Sequence, residues 1–88
     1  MKTEFKSSFA KDLRSIKNQT IDKRVAELIE MVEEAADQGA IPHLKKLRES
    51  VMYYRVRLGE YRVGLTIKSG VVTFVRCLHR KEIYRYFP

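Results

Sequence analysis

The hydrophobic period changes once along this chain, and that change limits the fold more than any other feature. In the first half, apolar side chains recur at the roughly 3.6-residue spacing of a helix, whereas after residue 50 they alternate with period two. Met52, Tyr54, Val56 and Leu58 alternate with Tyr53, Arg55 and Arg57. Gly59-Glu60 then intervenes, and Tyr61, Val63, Leu65 and Ile67 alternate with Arg62, Gly64 and Thr66. Glycine at the first central position suits a two-residue type II′ turn, so the two runs read as a β-hairpin. A third strand, Val71 to Leu78, follows Lys68-Ser69-Gly70.

The helical half is equally patterned. Residues 2–6 suggest a short first strand. From Ser7/Ser8 onward, Phe9, Leu13 and Ile16 share one helix face, with a serine as the expected N-cap. Asn18-Gln19-Thr20 breaks that helix. Ile21, Val25, Leu28, Ile29, Val32 and Ala36 form the stripe of a second helix, whose remaining faces carry Glu27, Glu30, Glu33 and Glu34. Asp22 sits in its first turn, where the helix dipole favours an anion. Gly39 and then Pro42 mark its end. The expected fold class is α+β, with two N-terminal helices packed on one face of a small antiparallel sheet, all within one domain spanning residues 1–88.

Composition narrows the function classes. With 44% apolar and 33% charged residues the chain reads as globular, and a net charge of +7 favours a polyanionic partner. Much of the acid lies in the second helix, so the remainder is more basic than the total implies. Cys77 stands alone and cannot form an internal disulfide. The N-terminal segment has no apolar core of a signal peptide, and no window reaches the roughly 18 apolar residues of a membrane span. A cytoplasmic protein without a membrane partner is expected. His43, His79 and Cys77 make no recognised ligand spacing, so neither metal nor cofactor is expected.

The hairpin turn sets a register, and the register points to a site. With Gly59-Glu60 as the loop, Leu58 faces Tyr61, Val56 faces Val63 and Tyr54 faces Leu65. On the other face Arg57 lies opposite Arg62, and Arg55 opposite Gly64. Carried through Ser69-Gly70, the register pairs Ile67 with Val72 and Leu65 with Phe74. It sets Arg62 beside Cys77 and His79 on the arginine face, and puts Arg76 on the apolar face opposite Val63, at an edge or past a bulge. Like charges directly opposed on a sheet cost a few tenths to about 1 kcal/mol. Three arginines, a histidine and the opening at Gly64 therefore read as an anion site. His43 reads as a surface residue, while Tyr86 and Phe87 read as aromatics that seal the core.

Two segments are similar to signatures of the RelE/ParE toxin superfamily. Tyr54-Arg55-Val56-Arg57-Leu58-Gly59-Glu60-Tyr61-Arg62-Val63 resembles its "YRIRVGDYRV" hairpin, and His79-Arg80-Lys81-Glu82-Ile83-Tyr84-Arg85 resembles its C-terminal "HRxDVY" ending. His43-Leu44-Lys45-Lys46-Leu47 stands where the family has its "KxL" connection. The resemblance implies the RelE-like element order, strand, two helices and three strands. It also implies a toxin of a type II toxin–antitoxin system, bound by a cognate antitoxin, that cleaves mRNA in the A site of the 30S ribosome without a metal. Two other members of the superfamily remain as models, a ParE-like inhibitor of DNA gyrase and a non-catalytic antitoxin-binding protein.

The implied reaction is attack of a 2′-hydroxyl on the adjacent phosphate, with departure of the 5′-oxygen. It needs cationic donors around the phosphorane and a path for two protons. By resemblance, Arg62 and Arg80 match phosphate-holding arginines, and Tyr84 matches the tyrosine that stacks on or orients the substrate. Arg55 and Arg57 stand where well-known members carry lysines. Arginine does not give up its proton, so these two can stabilise charge but cannot act as base. Proton transfer falls to His79 or Tyr84. Lys45, Lys46, Arg48 and Lys81 are expected to contact the RNA backbone, and Tyr53 to stack on a base.

Overall fold

Side-chain alternation over the C-terminal half is realised as three antiparallel strands, and the other elements are arranged around them. The structure is a computed structural model and describes residues 1–47 and 52–88. In chain order the elements are β1 (Lys2–Phe5), α1 (Ser7–Ser15), α2 (Gln19–Glu34), a 3₁₀ turn (Gln38–Ala40), β2 (Leu44–Lys46), β3 (Tyr53–Leu58), β4 (Tyr61–Lys68), β5 (Val71–His79) and α3 (Ile83–Tyr86). The α+β class and the two helices before the meander agree with the expectation. The sheet is larger and mixed, with strand order β1-β5-β4-β3-β2. β1 runs parallel to β5, and β2 pairs antiparallel with β3 in the stretch expected to be a plain connection. A strand of three residues is too short to show a period.

Both hairpin turns follow from their residues. Gly59 has φ 58° while Glu60 stays out of the left-handed region, as a type II′ turn requires. Ser69 (φ 51°) and Gly70 (φ 76°) are both left-handed, the type I′ pattern. The β3–β4 register is the one expected, from Tyr53↔Thr66 to Leu58↔Tyr61, with Arg57 opposite Arg62 and Arg55 opposite Gly64.

The two helices cover one sheet face. Phe9, Val25, Leu28 and Val32 pack with Val56, Val63, Leu65, Val72 and Phe74, all of them buried. Phe9 and Phe5 both lie against the Phe74 ring, with centroids 5.4 and 5.2 Å away. Asn18, expected only to break the first helix, also begins the second: its Oδ1 accepts from the Thr20 and Ile21 amides. No serine caps α1; Lys6 holds that position and makes no side-chain cap bond. α2 stops at Glu34, short of Ala36, and Gly39 lies in the 3₁₀ turn held by the Asp37 carboxylate. No helix of the described residues is long and apolar enough to cross a membrane.

The third strand departs from the expected register at one point. Leu65 pairs with Phe74, but Gly64 pairs with Arg76, so Val75 is an extra residue forming a β-bulge. Beyond it the alternation is shifted. Cys77 pairs with Val63 rather than lying beside Arg62, and Arg76 faces Gly64 rather than Val63. β1 ends at Phe5, so among the described residues no strand lies beside the edge of β5 past Phe74. Side chains of α1 take its place. Ser8 Oγ donates to the Val75 carbonyl (2.6 Å), and Asp12 Oδ2 accepts from the Cys77 amide (2.9 Å) and from Arg76 Nε (2.8 Å). Ser8 and Asp12 are four residues apart and share one helix face. The Cys77 thiol, fully buried behind this contact, has its pKa pushed up to about 12 by burial, with Asp12 and Asp22 adding to the shift.

Asp12→Ala leaves the Cys77 amide and the Arg76 guanidinium without their acceptor. The expected loss is about 2–3 kcal/mol, since a buried backbone donor and an ion-pair partner are both orphaned. Chemical denaturation should show it as a lower midpoint with an unchanged slope; a midpoint equal to that of the parent chain would mean the bulge does not depend on α1.

Candidate active site on the open sheet face

The face of the sheet away from α1 and α2 gathers arginines because β3 and β4 place their alternate residues there. Arg57 and Arg62 form one cross-strand row and Arg55 and Gly64 the next. Lys45 on β2 extends the second row beside Arg55. Arg62 is held in place rather than loose: its Nη1 donates to the Gly59 (2.7 Å) and Tyr61 (2.9 Å) carbonyls. Burial first, and then the charges of Arg55, Arg57 and Arg80, lower the Arg62 pKa from its ordinary value, while Tyr84 opposes the shift. That set of neighbours defines the cluster: Arg55, Arg57, Arg62, Arg80 and Tyr84.

The C-terminal segment supplies two of the five. Arg80, at the end of β5, donates from Nε to Glu60 Oε2 (2.9 Å), and its amide donates to the Glu60 carbonyl. Tyr84, on α3 and 60% exposed, accepts at its hydroxyl from Arg55 Nε (3.1 Å). α3 is carried onto this face by apolar contacts, since Ile83 and Phe87 are both buried. Phe87 lies directly over Gly64, and a Cβ on that glycine would come within 2.7 Å of the ring. Gly64 is therefore the seat of Phe87, not the open ligand entrance expected from the sequence. The Phe87 ring also meets the edge of Tyr53 (5.7 Å between centroids), which draws Tyr53 into packing. Phe87 seals the face as expected; Tyr86 does not, being 52% exposed with its ring 5.8 Å from the Arg76 guanidinium.

His79 does not join the arginines. The bulge shifts β5 by one residue, so Leu78 pairs with Arg62 and His79 pairs with Tyr61 on the other face. Its ring packs edge-on against Tyr61 (5.6 Å), and its Nε2 lies 3.9 Å from Glu60 Oε2. Lys46 pairs with Tyr54, yet lines a recess of about 420 Å³ with Lys45, Leu47, Tyr84, Phe87 and Pro88. Lys81 is exposed in the turn after β5. Arg48 lies outside the described residues. Glu60 and Phe87 were missed as parts of the site, and only the hairpin register could have signalled the first; Gly64 was expected there, but as an opening. Among the described residues, no three His, Cys, Asp or Glu side chains gather as metal ligands.

The chain, a basic α+β fold with an arginine-lined sheet face crossed by a tyrosine-bearing C-terminal segment, is a small toxin of the type II toxin–antitoxin class, as its family match and its relative show. The chain belongs to the RelE/ParE toxin superfamily. The family model described as the ParE toxin of the type II toxin–antitoxin system parDE matches residues 3–84. The chain is 37% identical to Toxin RelE3 of Methanocaldococcus jannaschii over the full length of both. Its fold is similar to that of the RelB–RelE antitoxin–toxin complex from Methanococcus jannaschii (TM-score 0.82, 35% identity, 97% of this chain and 99% of that one). It also matches the RelE–RelB complex from Pyrococcus horikoshii (TM-score 0.72, 21% identity, 93% and 97% covered), a likeness of fold alone.

The Gly64–Phe87 contact can be tested directly. Gly64→Ala should expel the Phe87 ring, at a local cost of about 1–3 kcal/mol for overpacking. Hydrogen exchange should then quicken at the Arg85 and Phe87 amides while β4 and β5 stay protected. Equal protection of those amides in the variant and the parent would contradict this seating.

Proposed function

We propose that this toxin is a metal-independent, ribosome-dependent endoribonuclease that cuts mRNA in the A site and thereby stops translation. The observation that carries the reading is the grouping of Arg55, Arg57, Arg80 and Tyr84 around the Arg62 guanidinium, with Arg55 bonded to the Tyr84 hydroxyl. Such a cluster suits a phosphate whose charge grows during attack. Arginine donors fixed before substrate arrives stabilise that growing charge with little reorganisation. Arg62, already anchored on two carbonyls, can present its remaining N–H groups to a non-bridging oxygen. Arg80 would exchange Glu60 for the phosphate, and Tyr84 would orient the neighbouring base or donate a proton to the leaving 5′-oxygen. Lys45, Lys46 and Lys81 flank this path and suit contacts to the RNA backbone.

The chain's partner, in this reading, is an antitoxin whose acidic and apolar segment covers the arginine face. A net charge of +7 supports such complementarity, as do the RelB complexes of its structural relatives. A gyrase-directed reading draws on the ParE description of the matching family model and on the absence of lysine from β3. Arg62→Ala combined with Arg80→Ala should abolish growth arrest while leaving the fold intact, since loss of each charge-stabilising donor costs on the order of 10²–10³-fold in rate. New 5′ ends at in-frame codons should appear in mRNA after induction of the parent chain, and not of the double variant. Full toxicity of the double variant, or inhibited DNA supercoiling without new mRNA ends, would reject the nuclease reading.

A further inference from the structure

We propose that His43 is the proton acceptor of the cleavage reaction, an inference that rests on the nuclease reading above. The arginine cluster supplies charge but no base, and His79 is turned to the other sheet face with its ring against Tyr61. His43 sits one residue before β2, whose first pair is Leu44↔Val56. The next position in that register is opposite Arg57, in the same row as Arg62. With Leu44, Lys45, Arg55 and Arg57 it lines a recess of about 350 Å³ at the edge of the open face. Arg57 and His43 also share the rim of the groove on the helix side, so the imidazole stands at the sheet edge where the two openings meet.

The backbone singles out the same residue. His43 has φ 59°, a left-handed conformation uncommon outside glycine, though histidine adopts it more readily than most residues. Strain of this kind at a side chain bordering a charged recess is the pattern of a functional position. The ring is exposed, so a substrate hydroxyl can reach it. Charged groups face it from each neighbouring element: Lys45 on β2, Arg55 and Arg57 on β3, and Arg24 and Glu27 on α2.

In the reaction, the 2′-oxygen forms a bond to phosphorus as its proton passes to the neutral imidazole of His43. The phosphorus–5′-oxygen bond breaks, and the departing oxygen takes a proton from the Tyr84 hydroxyl or from water. The products are a 2′,3′-cyclic phosphate and a 5′-hydroxyl, with no oxidant or cofactor consumed.

The left-handed φ makes the test clean. Glycine adopts that conformation without strain and asparagine tolerates it, so His43→Gly and His43→Asn should both fold. Single-turnover cleavage of ribosome-bound mRNA should fall by about 10²-fold or more in each variant, with KM little changed, because only proton transfer is lost. Free imidazole should partly restore cleavage by His43→Gly but not by Arg62→Ala. Cleavage by His43→Gly at the parent rate, while Arg62→Ala is inactive, overturns the assignment alone. A parent chain that cuts no mRNA overturns both the nuclease reading and this assignment.

Discussion

Asp12 on α1 accepts hydrogen bonds from both the Arg76 side chain and the Cys77 amide, and the distal half of the sheet is organised by that contact. A bulge leaves backbone polar groups without ladder partners, and buried groups of this kind must be satisfied. Ser8 and Asp12 satisfy them where β1 has already ended. Because side chains alternate with period two, one extra residue reverses every later position on β5. Cys77 enters the core, Leu78 comes beside Arg62, and His79 moves beside Tyr61. The composition of the arginine face is thus decided in part by a helix on the far side of the sheet.

The arginine face shows how opposed like charges are kept. Arg62 is bound to two carbonyls of the β3–β4 turn, Arg55 to the Tyr84 hydroxyl and Arg80 to Glu60. Neutral oxygens fix two of these guanidiniums without cancelling their charge. The repulsion between directly opposed residues is modest, up to about 1 kcal/mol, and well under what core burial supplies at about 1.5–3 kcal/mol per large apolar side chain. The same ties that hold the arginines also aim them. In the proposed reaction such a face would be arranged for an anion before any anion binds, which is the condition for electrostatic stabilisation of a transition state.

Phe87 joins the two halves of that arrangement. Gly64 lacks a side chain where the ring descends, and the ring's place there brings α3 across the sheet so that Tyr84 meets Arg55. A glycine in mid-strand usually weakens a sheet. Here it admits an aromatic residue from the chain's own C-terminal segment, in the place where an opening for a ligand is expected. Superfamily membership, carried by the match over residues 3–84, agrees with this arrangement of hairpin and C-terminal tyrosine. With arginine and not lysine on β3, the proposed reaction would take its base from another element, and His43 stands at that sheet edge beside Arg57.

Several features were legible because they are local. The period change, the type II′ turn at Gly59-Glu60, the β3–β4 register and the opposed arginines depend only on residues close in sequence, so the amino-acid sequence determined them by itself. The superfamily could be recognised from the hairpin and the ending around Tyr84 for the same reason. The bulge at Val75 was not legible in position, since alternation looks intact on either side of it and the slip is set by contacts with α1, some 64 residues away along the chain. The strand β2, the seating of Phe87 on Gly64 and the placement of His79 beside Tyr61, off the arginine row, are likewise tertiary decisions. Each depends on which distant segment fills a gap or satisfies a backbone group, and no local period records that.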